Sequence, residues 1–248
     1  MGRRVLRDAV WTAVAAAGFL AIGFTGISTG RPGAIAMVRA AGRQTAETGT
    51  SGAAKNSAKD ATKGAAENVQ PPVTYFIADG SGRSGYRTSD RELALWALQA
   101  WQRSAGPGLQ LKSAPEADAL IRLYWTEGNN GEYGETRFYF VGGRRGAAMY
   151  IQADVSSLGP GIAQQASDDP LLRDSIVYLT CLHELGHAFG LEHTRDFRDI
   201  MYSFTYGGDV AEYFGRYRAQ VHTRSDIARV SGLSDADVSR IRALYPAQ

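Results

Sequence analysis

Hydrophobic and polar positions divide the chain into three stretches. At the start, Arg3, Arg4 and Arg7 precede an uncharged run over 9–30, and Ala34-Ile35-Ala36 follows as a small-x-small pattern of the kind a signal peptidase reads. From 39 to 72, Val69 is the only large aliphatic residue and there is no aromatic. Such a segment buries too little to fold, and it reads as a flexible spacer closed by Pro71-Pro72. Beyond it the pattern becomes that of a folded domain. The β-branched and aromatic run 73–78 predicts a strand, followed by a glycine-rich turn over 80–85. A helix with a broad apolar face follows, capped by Ser89 or Asp90 and ended by Gly106-Pro107. Short strands are predicted at 109–112, 119–125, 136–141 and 147–153. A long helix is predicted from Asp169 or Leu171 to Gly190, and a last one over 234–244, with Ser234 as cap and Asp237 at the capping-box position. This order predicts an α+β fold, a small sheet with a long internal helix and a C-terminal helix.

The expected domains are thus 1–36, a signal peptide or signal anchor; 37–72, a linker rich in Ala, Gly, Ser and Lys; and 73–248, the folded domain. The uncharged run of 22 residues exceeds the roughly 7 to 15 of a usual signal core and approaches the roughly 20 that span a bilayer. An uncleaved anchor is therefore the alternative to cleavage. In both cases the leading arginines stay in the cytoplasm and the remainder is sent outward, so membrane contact is expected only through the N-terminal segment.

Charge and cysteine content narrow the reading. With 27 basic and 25 acidic residues the net charge is +2, which gives no field for a nucleic-acid partner. Cys181 is the only cysteine, so no internal disulfide forms.

The chemistry concentrates in one window, His183-Glu184-Leu185-Gly186-His187-Ala188-Phe189-Gly190-Leu191-Glu192-His193. Residues i and i+4 of a helix share a face one turn apart, so His183 and His187 can close on one ion. Gly190 can adopt the left-handed conformation that ends a helix, and that turn lets His193 return as a third ligand. Three neutral imidazoles leave one position of a tetrahedral zinc open, as a catalytic site requires, with Glu184 alongside as general base. A short H-E-x-x-H arises by chance in many helices, whereas the long form with glycine and a third histidine does not. Three of the four histidines of the chain fall in this window; the fourth, His222, reads as a surface or loop residue. Cys181 lies about 200° around the helix from His183 and should face the core.

The window resembles the zinc-binding consensus of the metzincin clan. Asp199-Ile200-Met201-Tyr202 resembles the Met-turn of that clan, and Met201 follows His193 by eight residues, the interval of the matrixins. The C-terminal stretch, Leu233-Ser234-Asp235-Ala236-Asp237-Val238 with Ile241 and Ala243-Leu244-Tyr245, is similar to the last helix of a matrixin catalytic domain. Gly146-Ala147-Ala148-Met149-Tyr150-Ile151 resembles the edge strand along which matrixins align substrate. The resemblance implies a secreted or membrane-anchored zinc metalloprotease that cleaves proteins or peptides. Catalytic Glu184, one zinc ion on His183, His187 and His193, and Met201 supporting them would form its site.

Departures mark the limits of that likeness. Thr194 stands where matrixins usually have serine and Ser203 where they have proline, and no histidine precedes His183, so a second zinc is not expected. Tyr202 follows Met201 directly and is not assigned to the metal. Asn129 to Glu135 and Asp154 offer oxygen ligands for calcium, but solvated turns account for them as well. Tyr206, Tyr213, Phe214 and Tyr217 either line the substrate pocket or pack a short amphipathic helix. No thiol precedes the domain, so cysteine-based latency is not expected. The rival function is a catalytically silent zinc-containing module that binds extracellular protein or cell wall, against which retention of Glu184 argues. The pattern assigns neither substrate-binding side chains nor an oligomeric state. A chain beginning at Val73 is expected to fold and bind one zinc, checked by circular dichroism and metal analysis; loss of folding would make the spacer a structural prosegment.

Overall fold

The computed structural model describes residues 72–127 and 133–247. The expected segments 1–36 and 37–72 lie outside them, apart from Pro72, and so does most of the calcium candidate loop. Strand β1 (Val73–Ile77) leads through helix α1 (Asp90–Ala105) to the short β2 (Leu111–Ser113), which lies parallel to β1. On the other side of β1 comes β3 (Ile121–Trp125), also parallel, followed by the hairpin of β4 (Gly134–Val141) and β5 (Arg144–Ile151). Because β5 returns parallel to β3, the sheet order is β2-β1-β3-β5-β4, with β4 alone antiparallel. Four further helices follow: α2 (Pro160–Asp168), α3 (Pro170–Ala188), α4 (Val210–Arg218) and α5 (Asp235–Leu244). A five-stranded mixed sheet with helices gathered beside it is the α+β layout expected. None of the helices among the described residues is long and apolar enough to cross a membrane.

The sheet order corrects the edge-strand expectation. The strand containing Gly146 to Ile151 is paired on both sides, by β3 and β4, and the edges are β2 and β4. The physical reason is visible in composition: Ala147, Ala148, Met149 and Ile151 are all buried, as an interior strand requires. Strand β4 instead carries the charged Glu135 and Arg137 and then three aromatics in a row, leaving Phe138 and Phe140 exposed. The capping of α1 also differs. The Ser89 side chain makes no cap bond, and Asp90 sits inside the helix, fully buried, facing Arg173 of α3.

Helices α1 and α3 fill the space behind the sheet. Leu93, Ala97 and Trp101 of α1 and Ile176, Leu182 and Leu185 of α3 belong to one core with Ile121, Met149 and Ile151. Trp101 Nε1 donates to Leu182 O at 2.9 Å, so even its polar edge is satisfied inside that core. The Arg173 guanidinium is bidentate on Asp90 and also donates to the carbonyls of Gly85 and Ala153 at 3.0 and 3.1 Å. It thereby joins α1, α3 and the end of β5 with all of its buried charge compensated.

Removing only one member of this pair would leave the other charged and buried, at a cost of about 3–5 kcal/mol. Asp90→Ala is therefore expected to lower stability by that amount in urea denaturation, and pairing it with Arg173→Met should recover most of the loss.

Candidate metal centre

Helix α3 carries the histidine window and is defined at both ends by local chemistry. Asp169 accepts the N–H groups of Leu171 and Leu172 at 3.1 and 3.3 Å, and Pro170 occupies the first turn, where no N–H is needed. At the other end Gly190 takes φ 101°, beyond the reach of most side chains. Leu191 N–H then returns to Gly186 O and Gly190 N–H to His187 O, both at 2.9 Å, a Schellman closure. That turn has a direct consequence for the site. It presents the Leu191 carbonyl to His187 Nδ1 at 2.9 Å, which fixes the ring and aims Nε2 away from the helix end.

His183 is fixed by a different segment. Its Nδ1 lies 2.6 Å from Ile200 O, in the turn around Met201. Both backbone groups of Ile200 are themselves held: Asp237 Oδ2 accepts its N–H at 2.8 Å, and Tyr213 Oη donates between its carbonyl and that of Asp199, each at 3.1 Å. Met201 is fully buried against Gly186, where any Cβ would collide with Sδ. The chain following His193 is stitched to the same turn, since Thr194 N–H donates to Met201 O at 2.8 Å and Ser203 N–H to Thr194 O at 3.2 Å. Thr194 and Ser203, the two departures from the usual matrixin residues, thus bond here through their backbones.

The three imidazoles converge. His183 Nε2 and His187 Nε2 each lie 3.2 Å from His193 Nε2, and one ring nitrogen from each histidine falls within 4.8 Å of the others. Donors at the usual zinc–nitrogen distance of about 2.0–2.1 Å in a tetrahedral shell stand about 3.3 Å apart, so the spacing suits zinc. With Nδ1 of His183 and His187 committed to backbone carbonyls, their Nε2 atoms present lone pairs, as metal ligation demands. Burial, then the neighbouring imidazoles, pushes His183 well below the ordinary histidine range. Burial lowers His187 to about 4 against its backbone bond, and it lowers His193 as well. All three are therefore neutral at pH 7, the form that binds metal.

Glu184 follows His183 on the helix, and its carboxylate turns toward β4. Thr136 Oγ1 lies 2.6 Å from Glu184 Oε2 and 3.2 Å from the main-chain Glu184 O. A Cβ at Gly134 would fall 2.6 Å from Oε1, so the absence of a side chain there makes room for the carboxylate. Neither Thr136 nor Gly134 was singled out in the sequence; strand alternation puts both on one face of β4, but only the fold sets that face against α3. Of the remaining candidates, Cys181 is buried in the core and His222 is exposed. Tyr202 Oη donates to Gly207 O at 2.8 Å. Asp154 accepts Ser156 N–H at 2.9 Å as the cap of a short turn. Tyr213, Phe214 and Tyr217 are buried on α4, which fits the packing alternative, while Tyr206 is exposed.

The depressed histidines make the stability of the metal-free protein pH-dependent. Between about pH 6.5 and 4 the unfolded chain takes up protons at these positions and the folded one does not, so stability falls as the solution is acidified through that window. For His187 the full effect is about 3 kcal/mol. Urea midpoints of metal-free protein should decline from pH 7 to 4, and His187→Gln should flatten the slope; an unchanged slope would contradict the assignment.

Comparison with known proteins agrees with this geometry. The matrixin family model matches residues 67–213. Macrophage metalloelastase of Oryctolagus cuniculus is 32% identical over 117 residues, covering 45% of this chain and 23% of that protein. The match thus spans less than a quarter of that relative's length. Since the family model covers more than half of the sequence, the chain belongs to the matrixins, a family of zinc-dependent metalloendopeptidases.

Proposed function

We propose that the protein is a zinc-dependent endopeptidase acting on proteins outside the cytoplasm, with one catalytic zinc held by His183, His187 and His193, Glu184 as general base and Met201 as support beneath the ligands. The observation that carries this reading is the 3.2 Å spacing of His193 Nε2 from the Nε2 atoms of His183 and His187, whose opposite ring atoms are already bonded. When bound, zinc supplies Lewis acidity, acidifying water and polarising the scissile carbonyl. The protein's own groups do the rest. Glu184 accepts a proton from the attacking water on its carboxylate and returns it to the leaving amine. Burial keeps the imidazoles neutral while this happens, and the bonds to Ile200 O and Leu191 O keep His183 and His187 oriented.

An extended peptide would add to the sheet at β4, the edge beside Glu184 among the described residues, through backbone hydrogen bonds on the side away from β5. This replaces β5 as the substrate-aligning strand. Residues 73–248 constitute the catalytic domain in this reading, 37–72 the linker and 1–36 the export signal or anchor. The arginines ahead of 9–30 support export of the domain.

Two variants test the assignment together. Glu184→Gln is expected to keep the fold and full zinc content while lowering peptide hydrolysis by about 10² to 10⁴, because the base is lost and no ligand is. His187→Ala should lose zinc as well as rate, since two imidazoles cannot complete the site. Zinc stoichiometry and casein or peptide hydrolysis measured on both decide it; full activity in Glu184→Gln would refute the base.

A further inference from the structure

Strand β4 does more at this site than present an edge. Two of its residues on one face, Gly134 and Thr136, form a seat for the Glu184 carboxylate. Gly134 allows close approach, its place for a Cβ being only 2.6 Å from Oε1 and 2.9 Å from Cδ. Thr136 is 2% exposed, and its hydroxyl stands between two oxygens of the same residue, Oε2 at 2.6 Å and the main-chain O at 3.2 Å. The hydroxyl has a single proton to donate. The shorter contact is to the carboxylate, and 2.6 Å is the range of a charge-assisted O–H···O⁻ bond, the stronger of the two options.

We infer that Thr136 is a positioning residue for catalysis: its hydroxyl pins Glu184 Oε2, so that the carboxylate is held in one orientation before substrate arrives. The inference rests on the reading of Glu184 as base and adds to it a partner outside the histidine window. A glutamate side chain has three rotatable bonds, and a general base works only when its oxygen is within hydrogen-bond reach of the proton it takes. Burial alone does not select among rotamers of similar volume. A directional bond from a β-branched side chain, itself stiff at χ1 in a strand, does. Valine has the shape of threonine without its hydroxyl, so replacing Thr136 by valine removes the donor while the volume stays, and leaves the Glu184 oxygens without it.

That separability supplies the experiment. Thr136→Val retains the volume and removes the donor, whereas Thr136→Ser retains the donor and removes the methyl. Thr136→Val is expected to lower kcat about 10-fold with KM and zinc content within twofold of the parent, and Thr136→Ser to restore most of the rate. In a Glu184→Gln background, Thr136→Val should cause no further loss, because the group it orients is gone. A crystal structure of Thr136→Val should show the Glu184 carboxylate turned or split between rotamers, a readout independent of turnover. Equal losses in both backgrounds, or a kcat within twofold together with an unmoved carboxylate, would overturn the inference. If Thr136→Val does not fold, Thr136→Ala against Thr136→Ser makes the same comparison. Failure of the underlying reading looks different: a parent without peptidase activity, or an active Glu184→Gln, whatever Thr136 does.

Discussion

The bond between His183 Nδ1 and the Ile200 carbonyl, 2.6 Å long, is the point on which the site depends. It joins the helix that carries two of the imidazoles to a turn belonging to another part of the chain, and several elements converge to hold that turn. Asp237 of α5 takes the Ile200 N–H, and Tyr213 of α4 donates to the same carbonyl. Ser234 and Arg240 hold the adjacent Asp199 carboxylate at 2.6 and 2.9 Å. The C-terminal helix thus reaches the candidate ligands through a single residue, Ile200. Asp237 is buried but compensated, since Arg240 also bonds it at 2.6 Å.

A second constraint acts at the other end of the active helix. Gly190 closes α3, and the same closure delivers the carbonyl that orients His187. Termination of a helix and orientation of a ligand are here one event. Gly186 completes the arrangement by admitting Met201 directly against the helix backbone. Two glycines within the window therefore serve geometry, one through its dihedral angle and the other through its lack of a side chain.

What the sequence revealed follows the range of the interactions involved. The histidine window, the glycine turn and the Ser234–Asp237 capping box act within a few residues, and the structure places the rings together, the turn at Gly190 and both capping bonds on α5. Asp90 was read as a cap because that chemistry is local, yet Arg173 recruits it from 83 positions away. The resemblance puts the sheet edge at 146–151, whereas β4 lies outside that strand, for the same reason. An apolar run says that a strand is buried, but which strand is outermost is decided by how the hairpin docks on β3. Thr136 remained silent because its partner lies 48 residues along the chain. Helix α2 was passed over, as its nine residues are short and carry only Ile162 and Ala166 to the core.

The way the imidazoles are held also bears on the order in which the protein matures. His183 and His187 are oriented by backbone carbonyls, and those carbonyls by an apolar core that runs from Ile77 to Ile241. In small metal-nucleated domains, binding of the ion and folding are a single transition. Here an extended core is in place to drive folding, and a bound ion would add stability as the logarithm of its free concentration over its dissociation constant. Folding can therefore come first and metal loading second, in whatever compartment first offers zinc.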